Sequence, residues 1–184
     1  MIVIYYYLLP ILSCIILLYC LYRKYKIKAY VPKGRNFESL LVGHRGSRGF
    51  PDIPENSLIS FKYSIERGAQ AIELDCRLTK DGHVVVIHDD NVKRLTTSET
   101  GSISEMTLDD VKKLSYRDCT DTCVRIPTLH EVMSLVKSYN VKLFIEIKCI
   151  DIGSAASIAK KVCDLVAEYD AYSWACIIAF NPLV

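Results

Sequence analysis

Between Leu40 and Phe180, short apolar or alternating runs take turns with helical segments, and that alternation confines the chain to an α/β fold. The strand-like runs are Leu40–Gly43, Ala71–Leu78, Val84–His88, Leu143–Ile147 and Ala175–Phe180. Helices are predicted over Glu55–Arg67, Thr107–Leu114, Thr128–Tyr139 and Ser154–Tyr169. Leu58, Phe61 and Ile65 share a face of the first, and Gly68 ends it. Strands separated by helices predict a parallel sheet. One gap is an exception: Asp75 to Val84, around the Lys80-Asp81-Gly82 turn, is too short for a crossover helix. The pattern is that of a (β/α) barrel only partly built. A full barrel takes eight strands and about 250 residues. Five strands in 184 residues predict an open sheet, and no turnover from this chain by itself.

Ahead of this region, Ile2 to Tyr22 carries no charge. That is about the length of a membrane-spanning helix, roughly 20 residues. Tyr5, Tyr6, Tyr7, Tyr19 and Tyr22 lie toward its ends, where amphipathic rings favour the membrane interface. No Lys or Arg precedes the run, which argues for a retained anchor over a cleaved signal peptide. Residues 23–39 form a basic linker with Arg23, Lys24, Lys26, Lys28, Lys33 and Arg35. Such a flank prefers the cytoplasmic side and attracts anionic lipid. The expected arrangement is a single-pass membrane protein with its catalytic part in the cytoplasm; a lumenal or extracellular placement is the alternative. The absence of an Asn-x-Ser/Thr sequon leans toward the cytosol. A net charge of +2 with no long basic stripe outside this flank excludes nucleic acid as the main partner. Of eight cysteines, Cys76, Cys149, Cys163 and Cys176 read as buried small hydrophobes. Cys119 and Cys123 form a close loop pair able to bridge in an oxidising compartment.

Polar groups gather where the strands end. His44 and Arg45 close the first, Glu73 and Asp75 sit on the second, His88, Asp89 and Asp90 close the third, and Glu146 and Lys148 belong to the fourth. Barrel enzymes build their sites at this edge. Glu73 and Asp75, two apart on a strand, face the same way. Two carboxylates so placed repel unless a cation lies between them or one takes a proton. With Glu146 they offer three oxygen ligands for a hard divalent metal, Mg²⁺ or Ca²⁺. His44 and His88 suit general acid–base work, since imidazole titrates near neutrality. Arg45 and Lys148 suit a phosphate.

His44-Arg45-Gly46, Pro54-Glu55-Asn56-Ser57, Ile72-Glu73-Leu74-Asp75, Thr79-Lys80-Asp81-Gly82, Val86-Ile87-His88-Asp89, Ile126-Pro127-Thr128-Leu129 and Ile145-Glu146-Ile147-Lys148 follow one another in that order. Together they resemble the glycerophosphodiester phosphodiesterase family, from about Leu41 to Phe180. The resemblance implies an incomplete TIM barrel of the phospholipase C-like phosphodiesterase type over residues 40–184, after the anchor at 1–22. It also implies a family insertion at about 89–125. By matching position, Glu73, Asp75 and Glu146 would bind the metal. His44 and His88 would be the acid–base pair, and Arg45 and Lys148 would contact phosphate. The implied reaction is metal-dependent hydrolysis of glycerophosphodiesters to glycerol 3-phosphate and an alcohol. The alternatives are a lysophospholipase D acting on lysophospholipid in membrane lipid, or an inactive fragment.

Overall fold

The computed structural model of the protein describes residues 13–21, 40–117, 119–149 and 152–180. The chain divides into two units, Met1–Phe37 and Glu38–Val184. In the first, residues 13–21 are helical and exposed. The expected membrane run Ile2–Tyr22 extends outside the described residues, and the basic linker at 23–39 lies outside them. No helix among the described residues is long and apolar enough to cross a membrane.

The second unit is built on one sheet: β1 Val42–His44, β2 Ala71–Leu78, β3 Val84–Val86, β4 Lys142–Ile147 and β5 Ala175–Ile178. β1, β2, β4 and β5 are parallel neighbours in that order, and β3 pairs antiparallel with β2. Leaving β3 aside, strand order follows chain order. A doubly wound sheet would reverse that order somewhere, whereas a barrel wall keeps it.

Among the described residues, four α-helices accompany the sheet: α1 Leu58–Glu66, α2 Leu108–Lys113, α3 Leu129–Tyr139 and α4 Ile152–Glu168. Caps set their starts. Ser57 accepts from Ser60 N at the head of α1, and Thr107 and Thr128 form capping boxes with Asp110 and Glu131 at the heads of α2 and α3. Asn140 closes α3 in the left-handed region. Alternation along β2 then separates two surfaces. Ile72, Leu74 and Cys76 face a core shared with Phe61, Leu129, Val132, Ile158 and Val162. β3 splits its residues between two clusters. Val84 and Val86 join that core, while Val85 and Ile87 join a second one with Val92, Ile103, Val111, Tyr116 and Ile126. Residues 89–125 therefore gather around a small apolar core of their own.

Several boundaries differ from the sequence reading. α1 begins at Leu58 rather than Glu55, because Asn56 adopts a left-handed φ of 57° and cannot continue a helix backward. β3 stops at Val86 and runs against β2, so His88 does not close a parallel strand. β5 stops at Ile178 and leaves Phe180 exposed. Lys148 lies just past the end of β4. Only Cys76 of the four cysteines expected in the interior is buried. Cys163 is exposed because it falls one residue beyond the α4 stripe of Ala155, Ile158, Val162 and Val166. Cys119 and Cys123 are free thiols.

Candidate active site

Parallel pairing sets the site. His44 lies opposite Glu73, and Asp75 lies opposite Glu146. Glu73, Asp75 and Glu146 each bring a carboxylate oxygen within 4.8 Å of the other two. These three come from β2 and β4, on the face away from the main core.

The turn after β1 is strained and held. Arg45 has φ 51° and Gly46 φ 75°. A Cβ at Gly46 would lie 2.1 Å from Ser60 Oγ and 2.8 Å from the Ser60 carbonyl carbon, so no side chain fits. Asn56 N and Ser60 Oγ both donate to the Arg45 carbonyl, at 3.0 and 2.9 Å. A long side chain in the left-handed region is costly unless such contacts over-determine it. The Arg45 guanidinium is buried and lies 3.0 Å from Glu55 Oε1, with Nε 3.1 Å from Asp75 Oδ2. The latter contact is an ion pair without hydrogen-bond alignment.

Asn56 explains its own backbone. Its Nδ2 donates to Asp75 Oδ2 at 3.0 Å, and its Oδ1 accepts from Asp75 N at 3.3 Å. This reciprocal pair ties the Pro54–Ser57 turn to β2. Each acidic residue of the trio gives one oxygen to protein donors. Glu73 Oε2 accepts from Arg45 N and contacts His44, Asp75 Oδ2 meets Asn56, and Glu146 Oε1 meets the Lys148 ammonium. Asp75 Oδ1 is buried without a hydrogen bond, although Lys148 Nζ stands 3.3 Å away. A buried carboxylate oxygen without a partner is costly. Three carboxylates touched by two cations keep a net negative charge, and the donor set is all oxygen. Both features fit a hard divalent ion.

The two histidines are anchored alike. His44 Nδ1 is 2.6 Å from Glu73 Oε2, and His88 Nδ1 is 2.6 Å from Asp89 Oδ1. An ionised carboxylate only accepts, so Nδ1 carries the proton in each, and Nε2 is left for chemistry. Arg48 Nη1 lies 3.3 Å from His44 Nε2. His88 reaches the carboxylates through a relay: Asp89 to Arg94, Arg94 to Glu55 at 2.7 Å, Glu55 to Arg45. Burial alone would raise the Glu55 carboxyl, but the hydrogen bonds and charges of Arg94 and Arg45 hold it below the ordinary range. Burial likewise works to raise the Asp89 carboxyl, and Arg94 and His88 outweigh it.

All seven residues singled out from the sequence lie in this neighbourhood. Glu73, Asp75, Glu146, His44, Arg45 and Lys148 are in direct contact; among the described residues His88 joins them through the relay. Sequence reading missed Asn56, Glu55 and Arg94 as members of the site, and put Asp89 beside His88 at the strand end without a role. The signal for the first two was present: polar residues at a helix head, too many for a cap alone.

The sequence pattern of the Glycerophosphoryl diester phosphodiesterase family matches residues 44–177. A glycerophosphodiester phosphodiesterase of Caldanaerobacter subterraneus subsp. tengcongensis is 39% identical over 147 residues, covering 78% of this chain and 59% of the relative. Glycerophosphodiester phosphodiesterase 1 of Homo sapiens is 34% identical over 114 residues, covering 58% and 33%. Among solved structures, an Oleispira antarctica phosphodiesterase in complex with the product sn-glycerol-3-phosphate superposes with a TM-score of 0.70 at 27% identity, covering 80% and 60%. The chain thus spans about three-fifths of the length of the first of these relatives.

Proposed function

The chain belongs to the glycerophosphoryl diester phosphodiesterase family, and we propose that its site serves metal-dependent hydrolysis of glycerophosphodiesters to glycerol 3-phosphate and an alcohol. The observation that carries this reading is the trio Glu73, Asp75 and Glu146, flanked by a histidine anchored through Nδ1 on one of the three carboxylates. The sheet, with its parallel strands in chain order, is proposed as one wall of a TIM barrel of the phospholipase C-like type.

Glu73, Asp75 and Glu146 would hold Mg²⁺ or Ca²⁺. When bound, such an ion stabilises negative charge on phosphoryl oxygens. Lys148, with 21% of its side chain exposed, and the buried Arg45 supply positive charge beside the phosphate. His44 Nε2 and His88 Nε2 take and return the proton of the attacking and leaving oxygens. Glu73 and Asp89 hold those rings in the tautomer the transfer needs.

A lysophospholipid is the second substrate reading. A cavity of about 500 Å³ next to His44 has Val42, Phe50 and Tyr63 in its wall and suits an apolar tail. The uncharged run Ile2–Tyr22 and its basic flank support a single-pass anchor with this unit on the cytoplasmic side. Protease protection of the unit in sealed microsomes would overturn that topology.

The deciding experiment follows glycerol 3-phosphate release by the full chain with Mg²⁺ or Ca²⁺, together with calorimetric titration of each metal. Saturable metal binding lost in Glu73→Gln and turnover abolished by chelator are expected. Turnover undiminished in excess EDTA would sink the metal reading.

A further inference from the structure

Glu73, Asp75 and Arg77 alternate with Ile72, Leu74 and Cys76 on β2, so all three point to the face that carries the site. Arg77 lies two strand positions beyond Asp75, roughly 6–7 Å along the strand. Its surroundings differ from those of the other cations. Arg45 is committed to Glu55 and Asp75, Arg94 to Glu55 and Asp89, and Lys148 to Asp75 and Glu146. Arg77 Nε donates to the His88 carbonyl at 2.7 Å, and among the described residues its guanidinium makes no other hydrogen bond and no ion pair. It is half-buried and lines a small recess with Asp90, Ser104 and Lys148. Asp90, Asp89 and Asp75 attract it from a distance, but none forms an ion pair with it, and the Asp90 oxygens accept from Ser102 and Ser104 instead. The guanidinium is only partly withdrawn from water, and its outer nitrogens have no close carboxylate among the described residues to give up before taking a ligand. Nε being tethered, the two outer nitrogens present a fixed fork, the geometry that takes up a carboxylate or phosphate through two parallel bonds.

We propose that Arg77 sets head-group selectivity, meeting the alcohol side of the bound diester and favouring a head group that carries its own anion. This rests on the hydrolysis reading and deepens it. With the diester phosphate at the carboxylate trio, a group one substituent farther along β2 lies within the reach of Arg77. A carboxylate there gains a paired, charge-assisted contact. A head group lacking one leaves the half-buried guanidinium unpaired, and such a site discriminates against the analogue that lacks the group. The bond formed is non-covalent, and the chemistry at phosphorus is unchanged.

Glycerophosphoserine and glycerophosphoethanolamine differ only by one carboxylate, so the pair isolates the effect. Binding is measured by calorimetry with Mg²⁺ or Ca²⁺ on the full chain carrying His88→Ala, so that neither diester is consumed. The chain with Arg77 intact is expected to bind the serine diester about tenfold more tightly, the scale of one charge-assisted bond. Arg77→Gln should erase that preference and leave ethanolamine-diester binding within about twofold, and Arg77→Lys should restore part of it. A structural role through the His88 carbonyl would weaken both diesters together, and that outcome overturns the proposal. Equal binding of the two diesters with Arg77 intact would overturn it as well while leaving the hydrolysis reading intact. Binding of neither diester by a chain that melts cooperatively would sink the hydrolysis reading itself.

Discussion

The two faces of β2 share a backbone and almost nothing else. One face carries Ile72, Leu74 and Cys76, all fully buried in the main core. The other carries Glu73, Asp75 and Arg77, and here Asp75 is as deeply buried as Leu74. Burial on the first face is favourable by itself, at about 25 cal/mol per Å² of apolar surface. Burial on the second is unfavourable until every charge finds a partner. The difference teaches where specificity resides. The apolar face needs only volume and period, while the charged face needs Arg45, Asn56 and Lys148 at defined angles.

Five substitutions, at four positions, would break or sharpen that contrast. The largest effect is expected from His88→Ala, which should lower turnover by about 100- to 10,000-fold, the usual range for a proton-transfer group. Its half-exposed ring should leave thermal stability nearly unchanged. Near-normal kcat in that variant would remove His88 from the acid–base pair. Leu74→Ala, on the opposite face one residue from Asp75, should do the reverse. It should cost about 2–5 kcal/mol in chemical denaturation and keep metal affinity per folded molecule. If metal affinity fell in proportion to stability, the two faces would not be separable.

Asn56→Ala tests the seam between them. It removes both hydrogen bonds to Asp75 and leaves a left-handed φ to a residue that dislikes it. About 1–3 kcal/mol of stability should be lost, and metal affinity should drop about 10- to 100-fold, the usual cost of losing a ligand's supporting partner. Asn56→Gly relieves the backbone but not the bonds, so metal affinity should stay low in calorimetry while stability partly recovers.

The smallest effect concerns the head of α3, away from the site. Burial works to raise the Glu131 carboxyl, but Lys112 and the Thr128 cap outweigh it and lower its pKa. A depressed carboxylate stabilises the fold above its unfolded pKa, about 4.3, and that contribution is lost as pH falls through the lower folded value. The stability gap between the unmodified chain and Glu131→Gln should therefore be present at pH 7 and shrink below about pH 4. A gap constant with pH would mean that the capping box acts through neutral hydrogen bonds alone.

These expectations rest on residues of unequal legibility. Glu73, Asp75 and Glu146 could be read from the sequence because charged residues at inward positions of apolar strands have few structural uses. Lys80-Asp81-Gly82 revealed the return of β3, since the eight residues between Asp75 and Val84 cannot hold a helix and two turns. Asn56 and Glu55 were misread as helix because Pro-Glu-Asn-Ser also makes an acceptable helix start; nothing local says that Asn56 will point at Asp75, nineteen residues away. Arg94 was invisible for the same reason, its carboxylate partner Glu55 lying thirty-nine residues off.

By itself the sequence determined the period of each element, the order of strands and helices, and the kinds of groups at the strand ends. Those follow from local chemistry: alternation, caps, turn residues and the cost of burying charge. Only the tertiary structure decided which edge β3 takes, which oxygens of the carboxylate trio stay uncommitted, and that Arg77 forms no ion pair among the described residues. Those depend on distances between residues far apart in the chain. A hydrogen bond or ion pair fails within about an ångström of misplacement, whereas an apolar contact tolerates it.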